Sequence, residues 1–321
     1  MSQHSSVSFS CVAAASALAL AACVASADVL FDSGPFVTNP TGGTGQIAGQ
    51  PISNADGFTV PGSTFIFTTT GIGATIPVNV SVAEDFTVPA GGWNLDAVTL
   101  FAFQTSQTTP TVRRVRINLW SAPPFSAGSP APRPDPLPTP LLSEPLLLDA
   151  GLGTFVAHRQ SATSTSTIRP VFAYTVSLDG LPRSGFLAQG TYWLEWSFEG
   201  ASTPSQNVFI PLVSPRTAVS GHNARLFNAL NSSDTRDWFE GREGFVAGQA
   251  DGRPYTLPFI LRGTIPCAAD FNNDGQGDFF DYLDFAASFS AEDPSADINA
   301  DGQVDFFDYL DFATAFDAGC N

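Results

Sequence analysis

The chain reads Asp270-Phe-Asn-Asn-Asp-Gly-Gln-Gly-Asp-Phe-Phe-Asp281 near its C-terminus and repeats the motif 27 residues later as Asp297-Ile-Asn-Ala-Asp-Gly-Gln-Val-Asp-Phe-Phe-Asp308. In each copy, oxygen-bearing side chains occupy places 1, 3, 5, 9 and 12 of a twelve-residue loop, and glycine occupies place 6, where the chain turns sharply. Calcium takes about six to eight oxygen ligands, and this spacing lets one short loop supply them. An Asx-rich turn without a metal is the alternative, and two matching loops in tandem argue against it.

The sequence therefore predicts two Ca²⁺ sites, with place 7 of each loop contributing its main-chain carbonyl. The predicted ligands are Asp270, Asn272, Asp274, Gln276, Asp278 and Asp281 in the first loop and Asp297, Asn299, Asp301, Gln303, Asp305 and Asp308 in the second. The loops differ at place 8, where the first has Gly277 and the second has the expected apolar residue, Val304. We therefore expect the first site to be the weaker one.

Both loops end in Asp where an ordinary EF-hand has Glu, and each is followed, but not preceded, by a helix-like apolar stretch. This arrangement resembles a dockerin, a duplicated loop-plus-helix module. The ending Gly319-Cys320-Asn321 is similar to the variant that closes secreted bacterial proteins with Gly-Cys and a short remainder. The resemblance covers about 55 of the 321 residues. It implies attachment or assembly through a cohesin-like or envelope-anchoring protein.

A Phe-Phe pair stands at places 10 and 11 of each loop: Phe279, Phe280, Phe306 and Phe307. In dockerins these places carry the residues that distinguish partners, so the resemblance implies a partner-binding role. The competing interpretation makes them core residues. However, Tyr282, Phe285, Ala286 and Phe289 already form one apolar stripe, and so small a module has little room to bury a second one. We therefore predict that at least one Phe of each pair is exposed.

The N-terminus predicts export, because the apolar run from Val12 to Val24 is too short for a permanent membrane-spanning helix. Ala25-Ser26-Ala27 offers a cleavage site that would end a signal peptide at residue 27, whereas Leu20-Ala21-Ala22-Cys23 resembles a bacterial lipoprotein box with Cys23 as the lipidated residue. Both routes remain open. Either one predicts a mature protein that is secreted or attached to the cell surface, without a transmembrane segment.

Two further cysteines, Cys267 and Cys320, bracket the two loops. Disulfides persist outside the cytoplasm, so we predict that these two residues are joined.

Charge is concentrated in the tail. The net charge is −17, of which −13 lies in residues 264–321, and all 13 basic residues are Arg in residues 1–263. The sequence pattern provides no basic face, which argues against nucleic acid as a partner.

Residues 28–263 form the predicted body, large enough for one all-β unit and rich in Phe, Gly, Pro and Thr. Two-faced strands at regular spacing predict a β-sandwich of jelly-roll type, followed by the small α-helical module of residues 264–321. Residues 122–145 hold nine Pro and predict an extended surface loop, with a docking strip as the alternative. The predicted strands are Thr64–Thr69, Val78–Val82, Asp85–Val88, Leu95–Gln104, Val112–Trp120, Val171–Leu178, Tyr192–Phe198, Asn207–Leu212 and Thr256–Gly263.

Four phrases in the body resemble a group of uncharacterised secreted bacterial β-sandwich proteins with surface-sorting or dockerin-like tails. They are Val29–Pro35, Glu84–Trp93, Gly190–Trp196 and Leu257–Thr264. This resemblance implies a fold and export, and it implies no activity.

Signals for catalysis are few: the sequence has no lysine and no Gly-x-Ser-x-Gly elbow, and His158 and His222 are not in a paired ligand spacing. Glycoside cleavage by carboxylates is the remaining enzymatic hypothesis, with Glu195 and Glu199 or the acids around Trp238 as its candidates. Along one strand, Glu195 and Glu199 would be roughly 13 Å apart, too far for either known geometry.

Carbohydrate binding, as part of a polysaccharide-degrading system, is the stronger rival. Exposed Trp beside carboxylates can stack on sugars, and the candidates are Trp193 with Glu195 and Trp238 with Asp237. Packing of these large aromatics in the body is the competing interpretation. The favoured hypothesis is an exported, non-catalytic protein attached through its calcium-binding tail. The ligand of the body and the oligomeric state are left open.

Overall fold

The computed structural model describes residues 28–42, 49–55, 58–59, 66–67, 70–89, 91–124, 140–161, 167–178, 181, 185–200, 208–213, 224–228, 238–240, 242–243, 253–254, 256–272, 276–299 and 302–319. The signal segment 1–27, most of the Pro-rich stretch, His222, Asp237, Asp274, Asp301 and Cys320 lie outside these residues, so the predictions made for them stay predictions. Within these ranges, no helix is long and apolar enough to cross a membrane.

The strands of the first half are β1 Asp28–Asp32, β2 Ile52–Ala55, β3 Phe58–Thr59, β4 Ile66–Phe67, β5 Ile72–Gly73, β6 Val80–Val88, β7 Trp93–Ala102, β8 Val112–Trp120, β9 Leu146–Asp149 and β10 Thr154–Ser161. Those of the second half are β11 Pro170–Ser177, β12 Phe186–Leu187, β13 Gly190–Gly200, β14 Phe209–Ile210, β15 Arg225–Asn228, β16 Trp238–Glu240, β17 Arg242–Glu243, β18 Arg253–Pro254 and β19 Phe259–Thr264. A 3₁₀ turn spans Ile76–Val78.

Two large sheets build the body. One has the strand order β1-β19-β7-β11-β10-β2, with β12 also paired to β7, and the other has the order β16-β15-β6-β13-β8-β9. Neighbouring strands are antiparallel except for β10 and β2, which run parallel. The prediction of a mainly β body followed by a small helical part is confirmed.

A single hydrophobic cluster takes residues from both large sheets. On β13, Leu194, Trp196 and Phe198 enter this core, and on β8 the residues Val115, Ile117 and Leu119 do so. The period-two alternation of these strands predicts this orientation, because successive side chains point to opposite faces of a sheet. Strand β8 coincides with its predicted bounds, whereas the two strands predicted over residues 78–88 are one continuous strand, β6.

The C-terminal part contains two helices, α1 Phe279–Ser290 and α2 Phe306–Ala318, separated by a 3₁₀ turn at Pro294–Ala296. Phe285 of α1 and Phe312 of α2 are fully buried, and their rings stack with centroids 4.0 Å apart. Tyr282, Phe289, Tyr309 and Phe316 pack around them at partial burial. One apolar stripe of each helix therefore forms the centre of a small second core.

Candidate calcium loops and aromatic pairs

Each predicted loop runs directly into a helix through the same cap. Asp278 precedes α1 and accepts a hydrogen bond from Phe280 N at 2.8 Å, and Asp305 precedes α2 and accepts one from Phe307 N at 2.8 Å. Each cap is completed by the carboxylate three residues later, Asp281 or Asp308, which accepts from the N–H of the capping residue at 2.8 Å. Places 9 and 12 of the loops thus form a capping box, which satisfies N–H groups at each helix start.

The last carboxylate of each loop is buried and faces back over its loop. Asp281 and Asp308 are 0% exposed. Asp281 accepts from Asn272 N at 2.9 Å, and Asp308 accepts from Ile298 N at 2.8 Å and Asn299 N at 3.2 Å. These hydrogen bonds join place 12 to places 2 and 3, so each loop is closed by its own final Asp.

The pKa of Asp281 reflects two opposing effects. Burial raises the pKa of this carboxyl, but hydrogen bonds from backbone N–H groups, including those of Asn272 and Asp278, lower it by more, and the net pKa is below its ordinary value. The side chain is therefore held as a carboxylate at neutral pH. A buried anion is the form of Asp that a hard cation requires.

The structure describes the remaining predicted ligands except Asp274 and Asp301. In the second loop, Asp297 accepts from Gly302 N at 2.9 Å, which ties place 1 to place 6. Gly302 has φ = 89°, a conformation that glycine adopts without strain. Among the described residues, no three side chains of His, Cys, Asp or Glu lie close enough together to hold a metal ion. The place-5 residues Asp274 and Asp301 lie outside that set.

The donor chemistry of the loops fits calcium, since every predicted ligand contributes oxygen. The loops differ at place 8, as their sequences do. Val304 packs against the core that contains Phe285 and Phe312, whereas Gly277 is exposed. The second loop therefore has an apolar anchor that the first loop lacks.

The two Phe-Phe pairs lie on the surface. Phe279 is 64% exposed and Phe280 is 66%, and the corresponding values in α2 are 64% for Phe306 and 63% for Phe307. Leu283 and Leu310, three residues further along from Phe280 and Phe307, are also exposed. Each helix thus presents an apolar surface of the same composition, in addition to the stripe that it buries.

Cys267 is disulfide-bonded in this structure. Its predicted partner, Cys320, lies outside the described residues.

The structure corrects the hypothesis that Trp193 is an exposed candidate for stacking on sugar rings. Its side chain is 0% exposed and packs with Trp120 and Ala83. Glu195 accepts a hydrogen bond from Trp120 Nε1 at 2.9 Å, and burial raises its pKa above the ordinary value. Glu199 instead accepts from Arg114 Nε at 2.7 Å. The alternation placed Trp193 and Glu195 on the outer face, but it could not predict that this face is covered.

The other proposed sugar site is not described at side-chain level. Trp238 lies in β16, where only the backbone is described. Trp193 is therefore a packing residue of the body rather than a sugar-binding one, and for Trp238 both interpretations stay open.

Sequence reasoning missed a buried acid, Glu84, which is 1% exposed on the core-facing side of β6. Its Oε2 accepts from Leu257 N at 2.7 Å, which links β6 to the segment leading into β19 in the other large sheet. Burial raises the pKa of Glu84 well above its ordinary value. The sequence contains a pattern that could have predicted this burial: Val82, Glu84, Phe86 and Val88 alternate along one strand, so one acid lies in a row of apolar residues.

Comparison with known proteins gives no match to a family model, to a curated protein or to a solved structure.

Proposed function

We propose that this chain is an exported, non-catalytic protein whose C-terminal module binds two Ca²⁺ ions and attaches the body to an anchoring partner outside the cell. The body is a jelly-roll-like β-sandwich formed by the two large sheets, and the module is dockerin-like. The partner is a cohesin-like domain or another anchoring protein of the cell envelope.

The observation that carries this proposal is the repeated exposure of two adjacent phenylalanines. Fully burying one such side chain is worth about 1.5–3 kcal/mol, so four exposed rings are costly to leave in water. The rings stand at equivalent positions of two equivalent loop–helix units. Adjacent exposed apolar side chains are typical of interaction sites when they form a contiguous surface.

Calcium has a defined role in this proposal. Residues 264–321 carry 13 acidic residues and no basic ones, so their mutual repulsion opposes folding. Two Ca²⁺ ions would neutralise part of that charge and hold the start of each helix through Asp281 and Asp308. The Phe pairs directly precede these residues, so calcium binding would also position the proposed contact surface.

The test replaces Phe279, Phe280, Phe306 and Phe307 by Ser in the full chain and measures both calcium-dependent folding and retention at the surface of the native host. We expect folding to persist and retention to be lost. Leu152→Ser is the matched control, because Leu152 is 96% exposed on the body and its loss removes apolar surface elsewhere. Unchanged retention, or loss of folding along with retention, would contradict the recognition role.

Carbohydrate binding at Trp193 and glycoside cleavage by Glu195 with Glu199 are not proposed in its place. Trp193 is buried, and Glu195 and Glu199 each have a separate partner within the body.

A further inference from the structure

A cavity of about 410 Å³ opens at one end of the body. Its walls come from the end of β8 at Leu119, the start of β13 at Tyr192, and β12 at Leu187. Strands β8 and β13 belong to one large sheet, and β12 pairs with β7 of the other. The cavity therefore lies where the two sheets meet at this end, continuous with the hydrophobic core to which Leu119 and Leu187 belong.

The cavity has buried walls and an exposed rim. Leu142 and Leu181 are 4% and 7% exposed, whereas Leu141 and Phe186 at the rim are 43% and 40% exposed. Its volume falls within the range of small-molecule sites, about 300–1,000 Å³. Apolar walls with an open rim allow a ligand to enter and to replace water along the walls.

The wall that carries Phe186 is held closely against β7. Phe186 and Leu187 pair with Asn94 and Trp93 at the start of that strand. Gly92 has φ = 72°, and a Cβ there would stand 2.6 Å from the Phe186 ring. Gly185 has φ = 77°, and a Cβ there would stand 2.5 Å from the carbonyl oxygen of Leu95. Two glycines thus permit the close approach of β12 to β7 that places Phe186 at the rim.

The lining determines the chemistry of the occupant. The nine described residues that line the cavity include no charged side chain, and the polar group that their side chains contribute is the Tyr192 hydroxyl. This hydroxyl donates to Ala188 O at 3.1 Å, which leaves its oxygen able to accept a hydrogen bond. Burial raises the pKa of Tyr192, so the phenol is neutral. Among these nine residues, a charged ligand would find no ion partner to compensate for the hydration that it loses.

We propose that this cavity binds a small, uncharged and mostly apolar molecule with few polar groups. The site is independent of the calcium loops. The chain leaves β19 for the C-terminal module at the same end of the body, because Thr264, where β19 ends, pairs with Asn94, and Asn94 also pairs with Phe186.

The test uses two fluorescent probes with the same ring system and measures their binding to the full chain. N-phenyl-1-naphthylamine is uncharged, and 8-anilinonaphthalene-1-sulfonate adds one negative charge. We expect saturable binding of the uncharged probe at one molecule per chain, and binding at least about ten-fold weaker for the sulfonate. Absence of saturable binding by the uncharged probe, or equal affinity for both probes, would overturn the proposal.

Substitutions at the rim locate the bound probe. Ala188→Trp and Leu141→Trp each place a large ring at the opening and should weaken binding at least about ten-fold. Leu152→Trp adds the same side chain at a position that is 96% exposed and does not line the cavity, and it should leave binding unchanged. Because Ala188 and Leu141 are exposed, both variants should fold, which circular dichroism checks. Equal binding by the rim variants and the control would place the probe elsewhere and refute the site.

Discussion

Replacing Phe285 by Ala should strongly destabilise the folded state of the C-terminal module. Phe285 is 0% exposed, and its ring lies 4.0 Å from that of Phe312 and 5.6 Å from those of Phe271 and Phe289, measured between centroids. Truncating a buried Phe to Ala costs about 3–5 kcal/mol. The hydrophobic core of so small a module rarely supplies more than about 3–5 kcal/mol, so this one change removes a comparable amount.

The matched control is Phe280→Ala, five positions earlier on the same helix. Phe280 is 66% exposed, so its truncation should change the free energy of unfolding by less than about 0.5 kcal/mol. Hydrogen-exchange mass spectrometry of the full chain, with Ca²⁺ present, reports on both variants through the amides of 279–290. We expect much reduced protection in Phe285→Ala and wild-type protection in Phe280→Ala. Equal loss in the two variants would refute the division of these rings into core and surface.

Three further predictions concern the body and the disulfide of the C-terminal module. Glu84→Gln should flatten the pH dependence of stability. Because burial raises the pKa of Glu84 well above 4.5, the folded protein keeps a proton that the unfolded chain has released, so wild-type stability falls as pH rises from 4.5 towards the folded pKa. Urea midpoints across this range measure the slope, and an unchanged slope in the variant would contradict the prediction. Gly92→Ala should destabilise the body by more than about 1 kcal/mol in urea unfolding, and by more than the control Gly91→Ala. Both glycines have positive φ, but only at Gly92 would an added Cβ meet another atom within 4 Å. Equal destabilisation by the two substitutions would show that the clash is not the cause. Alkylation of the unreduced, exported protein followed by mass spectrometry should find Cys267 joined to Cys320 by a disulfide. Closing this loop is worth roughly 4 kcal/mol in the chain-entropy model. Two alkylated thiols would refute the pairing.

Sequence patterns correctly predicted the strands and helices that are determined by neighbouring residues in the chain. The alternation over 114–119 predicted the core-facing row Val115, Ile117 and Leu119 of β8, and the predicted bounds of this strand match the observed ones. The Asp–Phe–Phe–Asp sequence that ends each loop is itself the capping box that starts each helix, so the helix starts follow from the motif. The stripe of Tyr282, Phe285 and Phe289 predicted the face that α1 buries, because helical periodicity determines which residues share a face.

What the sequence could not predict depends on contacts between distant segments. The parallel pairing of β2 with β10 joins Ile52 to His158, and nothing in either stretch specifies the other. Trp193 was assigned to the correct face, but its burial depends on what covers that face. The cavity was missed because it is made by the ends of separate strands and by two glycines, Gly92 and Gly185, whose close contacts between β7 and β12 appear only in the fold.

Calorimetric titration of the full chain with Ca²⁺, combined with hydrogen exchange over 279–290 and 306–318, tests the central claim most directly. The proposal predicts two bound Ca²⁺ ions per chain, with the second loop filling first, and amide protection in both helices that is lost with excess chelator. At a free calcium concentration 100 times the Kd, each site would add roughly 2.7 kcal/mol of stability. The absence of calcium binding, or helix protection that is unchanged by chelator, would contradict it.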